Sequence, residues 1–128
     1  KKGDGSLLDE MAGIFASGGV VKAAYDQIFC PTLLSDVVNA VASLQAKGIT
    51  GIVNVCSPES WSRYDMALAL AKAMGIESNK IHKVSVDEIG LKTRRPKNTS
   101  MIPKRLFAEN GVIFKSISEC IEQTANNW

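Results

Sequence analysis

The sequence predicts an α/β fold, and three observations carry the prediction. Segments with apolar residues at helical spacing alternate with short extended runs along the 128 residues. Residues 49–56 are β-branched and almost wholly apolar, the pattern of a strand covered on both faces as in a parallel sheet. Helix punctuation recurs between these runs, with Ser and an acidic residue at the starts and Gly at the ends. A composition of 45% hydrophobic and 22% charged residues fits one ordinary globular domain, or part of one.

The elements follow in order. Ser6 opens the first helix with Asp9 as its capping-box partner, and Leu8, Met11, Ala12 and Phe15 share one face, with Ile14 beside them. Ser17-Gly18-Gly19 stops it, and residues 20–25 read as a short extended segment. Pro31 closes that segment and Thr32 is placed to cap the next helix. There Leu34, Val37, Val38, Val41 and Leu44 recur at helical spacing up to Lys47-Gly48, while Asp36 and Lys47 suit the helix dipole. After the 49–56 run, Ser57-Pro58-Glu59-Ser60 forms a turn, and Ser62 with Asp65 caps an Ala- and Leu-rich helix that Gly75 ends. Residues 81–86 read as a strand whose Lys83 marks an exposed or edge position. Residues 87–99 are polar and irregular. Pro103 begins a short helix ended by Asn110-Gly111, and Ser116 with Glu119 caps a last helix that buries Ile117, Cys120 and Ile121.

Composition excludes several classes. A net charge of +2 is too small to argue for nucleic acid. No apolar run reaches the roughly 18 residues that a membrane span needs. Residues 1–5 lack the apolar stretch of a signal peptide and read as a loop or a cut end. Cys30, Cys56 and Cys120 have no metal-ligand spacing and are odd in number; they read as buried thiols in a reducing compartment, which favours the cytoplasm.

Two segments carry candidate chemistry. Asp26-Gln27 precedes Pro31-Thr32, and on residue types alone this can be nothing more than a turn and a helix start. Gln27 also offers an uncharged amide with donors and an acceptor, suited to a hydroxyl-rich ligand, while Asp26 suits a turn acceptor. Arg94-Arg95-Pro96-Lys97-Asn98 sets three cations in four positions beside a ring that stiffens the loop. The plain alternative is a solvated basic surface, but an Arg fork matches phosphate oxygens. His82, the sole histidine, reads as a packed or edge residue of its strand, and Trp61 as a hydrophobic anchor at a helix start.

These segments occur as an ordered series. Asp26-Gln27, Pro31-Thr32, Gly51-Ile52-Val53-Asn54-Val55, Ser62-Arg63-Tyr64 and Arg95-Pro96-Lys97-Asn98 together resemble the C-terminal part of extended short-chain dehydrogenases, most of all dTDP-4-dehydrorhamnose reductases. Thr99 after Asn98 and the extra Arg94 depart mildly from that pattern. What the resemblance implies is the last strand of a Rossmann sheet plus a small substrate domain over residues 1–128, without the nucleotide-binding half. The chain has no G-x-G-x-x-G turn, and neither Tyr25 nor Tyr64 begins a Tyr-x-x-x-Lys pair. No catalytic or cofactor-binding residue is therefore assigned.

The parent implied by the resemblance is an NAD(P)-dependent nucleotide-sugar reductase, to which this chain supplies Gln27, Arg95 and Asn98 for substrate binding. The fragment itself is expected to bind no dinucleotide and to be inactive alone. An epimerase or dehydratase of the same superfamily, a non-catalytic regulatory subunit on the same fold, or a stand-alone binding module are the alternatives. The 49–56 strand would lack its sheet, which leaves an exposed face for homodimerisation.

Overall fold

The computed structural model describes residues 2–3 and 5–128. Lys1 and Asp4 lie outside the described residues, so the reading of residues 1–5 as a loop applies to the others alone. The elements are α1 (Leu7–Ala16), β1 (Val21–Ala24), β2 (Ile28–Phe29), α2 (Leu34–Ala46), β3 (Trp61–Ser62), α3 (Arg63–Ala73), β4 (Ile81–Val84), α4 (Lys104–Asn110) and α5 (Ile117–Ala125), with 3-10 turns at Ser78–Lys80 and Val86–Ile89.

Local sequence explains most helix boundaries. Ser6 accepts the Asp9 amide at the start of α1. The Asp9 carboxylate accepts from the Gly3 and Gly5 amides at 2.7 and 3.0 Å, which ties the incoming chain to the helix. Reciprocal capping boxes open α3 (Ser62 and Asp65) and α5 (Ser116 and Glu119). Those two hydrogen bonds from Ser116 hold the Glu119 carboxyl below the usual carboxylate range.

The strands form two small sheets. β1 and β4 run parallel, with Val21 opposite Ile81 and Ala24 opposite Val84. β2 and β3 run antiparallel, with Ile28 opposite Ser62 and Phe29 opposite Trp61. The core forms where α1, α3 and α5 pack together and cover β1 and β4. Met11, Ala12, Phe15, Val21, Ala23, Ala67, Leu70, Ala71, Ile81, Ile117 and Ile121 are all buried there. Lys83 faces out on β4, as its charge predicted, with its ammonium 5.2 Å from the Tyr25 ring and 5.0 Å from the Tyr64 ring.

Four expectations need correction. Residues 49–56 form no strand: no ladder partner stands beside them among the described residues, and β-branched composition cannot replace one. Far from being covered on both faces, Ile52 is 90% exposed. Single contacts hold the segment, with Arg105 Nη1 donating to the Ile52 carbonyl at 3.1 Å and Asn54 Nδ2 to the Ile102 carbonyl at 3.5 Å.

The second correction concerns α2, whose buried positions are Asp36 and Ala40, while Val37 and Leu44 are only half-buried. Leu34, Val38 and Val41 are 76, 58 and 51% exposed. Hydrogen bonds decide this orientation: Asp36 accepts the Lys115 amide at 2.9 Å, Ser43 donates to Asn110 Oδ1, and Asn110 Nδ2 donates to the Ala40 carbonyl.

Thirdly, Thr32 does not cap α2, whose N-cap position is held by Leu33 without a side-chain hydrogen bond. The Thr32 hydroxyl is used elsewhere, donating to the Cys30 carbonyl and accepting the Ser57 amide, both at 3.0 Å. Finally, of the three cysteines only Cys56 is buried; Cys30 and Cys120 are partly exposed.

Candidate functional site

The candidate site forms where β1 hands over to β2. Tyr25 N–H donates to the Val84 carbonyl and so ends the parallel ladder. Asp26 then turns away from it. Its carboxylate accepts Ser85 Oγ and the Val86 amide, both at 2.7 Å, and takes Lys97 Nζ at 2.8 Å. Lys97 Nζ also lies 2.9 Å from Asp87. The Lys97 hydrogen bond, then that of Ser85, hold the Asp26 carboxyl far below the usual carboxylate range. The same carboxylates push the Lys97 ammonium well above its ordinary value. The turn-acceptor reading of Asp26 thus agrees with its contacts, and Lys97 is the cation that holds the loop.

Residues 97–99 lie alongside β2. Ile28 N–H donates to the Lys97 carbonyl at 2.7 Å, Thr99 N–H donates to the Ile28 carbonyl at 2.9 Å, and Ile28 bridges Asn98 in parallel. The two segments singled out in the sequence, about 70 positions apart, therefore meet. Gln27 precedes the bridged Ile28, and its carbonyl accepts the Arg63 amide at 3.2 Å. Asn98 uses its Oδ1 to accept the Ser100 amide and hydroxyl at 2.9 and 2.7 Å, which fixes the turn behind it. Among the described residues no hydrogen bond from its Nδ2 is made.

Arg95 and Arg94 are exposed and border a shallow pocket of about 200 Å³ with Val86, Asp87 and Gly90. The backbone of Ile28, next to Gln27, pairs with the loop that carries Asn98 and Arg95. Arg94 has the same exposed setting as Arg95.

Arg63 is a residue that sequence reasoning missed. Its backbone amide holds Gln27, and its Nε is buried without a hydrogen-bond partner. Burial, and then the charge of Arg95, lower its pKa, while Glu10 opposes them. In the sequence it appeared only as part of the Ser62-Arg63-Tyr64 series, with no role of its own assigned. Trp61 is the anchor its position suggested: it is half-buried against the core, and Nε1 donates to Glu59 Oε2 at 3.0 Å. His82 is exposed on β4, opposite Lys22.

Among the described residues no group of three or more His, Cys, Asp or Glu could hold a metal ion, and no helix is long and apolar enough to cross a membrane. The residues present do not fit a dinucleotide. Among the described residues the α-helices have Ser6, Leu33, Ser62, Pro103 and Ser116 at their N-caps, and none of them follows a strand through a glycine-rich turn that would let a pyrophosphate approach the backbone. What the site offers is amide and guanidinium donors on a clamped loop, the chemistry of binding and orienting a polyhydroxylated anion.

This α/β arrangement matches one part of the extended short-chain dehydrogenase fold. The chain belongs to the RmlD substrate binding domain family, whose model matches residues 2–128. It is 28% identical over 105 residues to a dTDP-4-dehydrorhamnose reductase of Mycolicibacterium smegmatis, covering 80% of this chain and 32% of that protein. A solved dTDP-4-dehydrorhamnose reductase from Bacillus anthracis, in complex with NADP, superposes with a TM-score of 0.83 at 22% identity, covering 100% of this chain and 45% of that one. Its counterpart from Clostridium acetobutylicum gives 0.84 at 20% identity, covering 98% and 45%. The chain thus spans about a third of the curated relative and under half of these structures. At such identities the structures establish the fold.

Proposed function

We propose that this chain is the substrate-binding part of an NAD(P)-dependent nucleotide-sugar reductase and that Gln27, Arg95 and Asn98 hold the sugar nucleotide. The observation that supports this reading is the Ile28–Asn98 bridge, which pairs the segment that follows Gln27 with the loop that carries Asn98 and, three residues earlier, Arg95. Family membership supports the substrate class, and dTDP-4-dehydrorhamnose is the substrate in the name of the Mycolicibacterium relative. NADP in the Bacillus anthracis structure supports the cofactor of the parent.

In this reading the chain does no proton or hydride chemistry. The two amides take up sugar hydroxyls and the Arg95 fork takes a phosphate, so that binding energy goes into orienting the reacting carbon toward residues supplied by the rest of the enzyme. NAD(P)H, when bound by that remainder, supplies the hydride. The test is a titration of the chain with dTDP, followed by the side-chain N–H signals in an NMR spectrum. Joint, saturable shifts of Gln27, Arg95 and Asn98 are expected. Shifts confined to other residues would reject the assignment.

A further inference from the structure

Cys30 and Cys56 are far apart in sequence and meet at one peptide group. Cys30 Sγ donates to the Met101 carbonyl at 3.5 Å, and the Met101 amide donates back to Cys30 Sγ at 3.3 Å. Cys56 Sγ donates to the same carbonyl at 3.7 Å. Both sulfurs therefore surround one oxygen atom. Cys30 also lies 3.6 Å from Ser60 Oγ, in continuation of the β2–β3 pairing.

The two thiols differ in setting. Cys30 is partly exposed, while Cys56 is 2% exposed. Burial first, and then the neighbouring Cys30, push the Cys56 thiol up to about 11. The accessible Cys30 thiol meets an oxidant first, and the neighbouring Cys56 is placed to resolve it, although burial slows that second step by disfavouring the Cys56 thiolate.

We propose that Cys30 and Cys56 form a dithiol modification site, which a small peroxide converts to an intramolecular disulfide. The Cys30 sulfur attacks one peroxide oxygen and the O–O bond breaks. The sulfur becomes a sulfenic acid, and the departing hydroxide leaves as water with the thiol proton. The Cys56 sulfur then attacks the Cys30 sulfur, the S–O bond breaks, and that hydroxide takes the Cys56 proton as a second water. Two thiols lose two electrons, and the peroxide gains them. The new bond ties the strand end after Gln27 to the start of the 57–60 turn, across the peptide of Met101. It depends on this three-residue geometry and not on the proposed substrate, so the two ideas stand or fall separately.

The experiment treats the intact chain with stoichiometric hydrogen peroxide, blocks remaining thiols with N-ethylmaleimide, and maps the peptides by mass spectrometry. The expected result is a Cys30–Cys56 linked peptide pair, loss of two of the three free thiols, an alkylated Cys120, and full recovery with dithiothreitol. In Cys56→Ser the oxidation stops at Cys30, trapped by dimedone; Cys56→Ala is the substitute if serine destabilises that buried position. In Cys30→Ser, Cys56 remains a thiol at the same dose. A Cys30–Cys120 link, an intermolecular link, a sulfenic acid that persists on Cys30 of the unaltered chain, or two unmodified thiols would each overturn the proposal.

Discussion

The Lys97 ammonium lies 2.8 Å from the Asp26 carboxylate, and this contact holds the end of β1 to the loop that carries Arg95 and Asn98. Its pH dependence has a definite sign. Asp26 titrates below its ordinary value of 3.8, so its contribution is complete above that value and fades as pH falls below it. Lys97 titrates above its ordinary 10.5, so its contribution is complete below 10.5 and fades as pH rises further. Between these limits the contact is intact. Asp26→Asn should therefore speed amide exchange at Ile28 and Thr99 at neutral pH, and should flatten the loss of thermal stability that the unaltered chain shows on acidification below pH 3.8. Unchanged exchange at both amides would mean that the ion pair does not hold the loop.

Arg95 and Arg94 differ in the motif though not in exposure. In the reductase proposed to contain this chain, Arg95→Ala should weaken the nucleotide sugar by about tenfold to a hundredfold, the roughly 1.5–3 kcal/mol of a charge-assisted contact. Binding of the dinucleotide should barely change. Arg94→Ala should cost less, as an exposed charge outside the motif. Steady-state kinetics on both variants provides the check, and equal small changes in KM for the sugar nucleotide would reduce the loop to a basic surface.

Among the described residues no helix start follows a strand through a glycine-rich turn that would cradle a pyrophosphate. Calorimetric titration with NADPH should accordingly show no saturable heat, and the chain alone should catalyse no NADPH-dependent reduction. Low-micromolar affinity would contradict this.

Ile52 is 90% exposed on a segment without a ladder, and Leu34, Val38 and Val41 form an outward apolar stripe on α2. Surfaces of this kind favour association. Light scattering should show mass rising with concentration, and Ile52→Lys should reduce the effect. A clean monomer of the unaltered chain at high concentration would show that the exposed segment is not an association site.

Local chemistry made much of the fold legible. The α1, α3 and α5 starts follow from Ser residues whose side chains reach an amide three positions on, an interaction complete within one turn. Gly75 and Gly111, both at positive φ, end their helices for an equally local reason. Periodicity also identified the α5 residues Ile117 and Ile121 as core. For the site, Gln27, Arg95 and Asn98 came from the family resemblance, while residue type suggested a turn role for Asp26. Neither indicated that Lys97 holds the loop or that Arg63 anchors Gln27, because both depend on partners tens of positions away.

By itself, then, the sequence determined where most helices start and stop, the α/β class, and which two segments carry polar chemistry. These depend on interactions within a few residues, which any conformation of the neighbouring chain preserves. Tertiary structure alone decided which face of α2 is buried, since Asp36 and Ala40 turn inward only because Lys115 and Asn110 meet them there. It alone decided that residues 49–56 form no strand, because a strand exists only when a second backbone satisfies its amides and carbonyls. It also brought Cys30 to Cys56 and Ile28 to Asn98, contacts between distant segments whose geometry no local pattern contains.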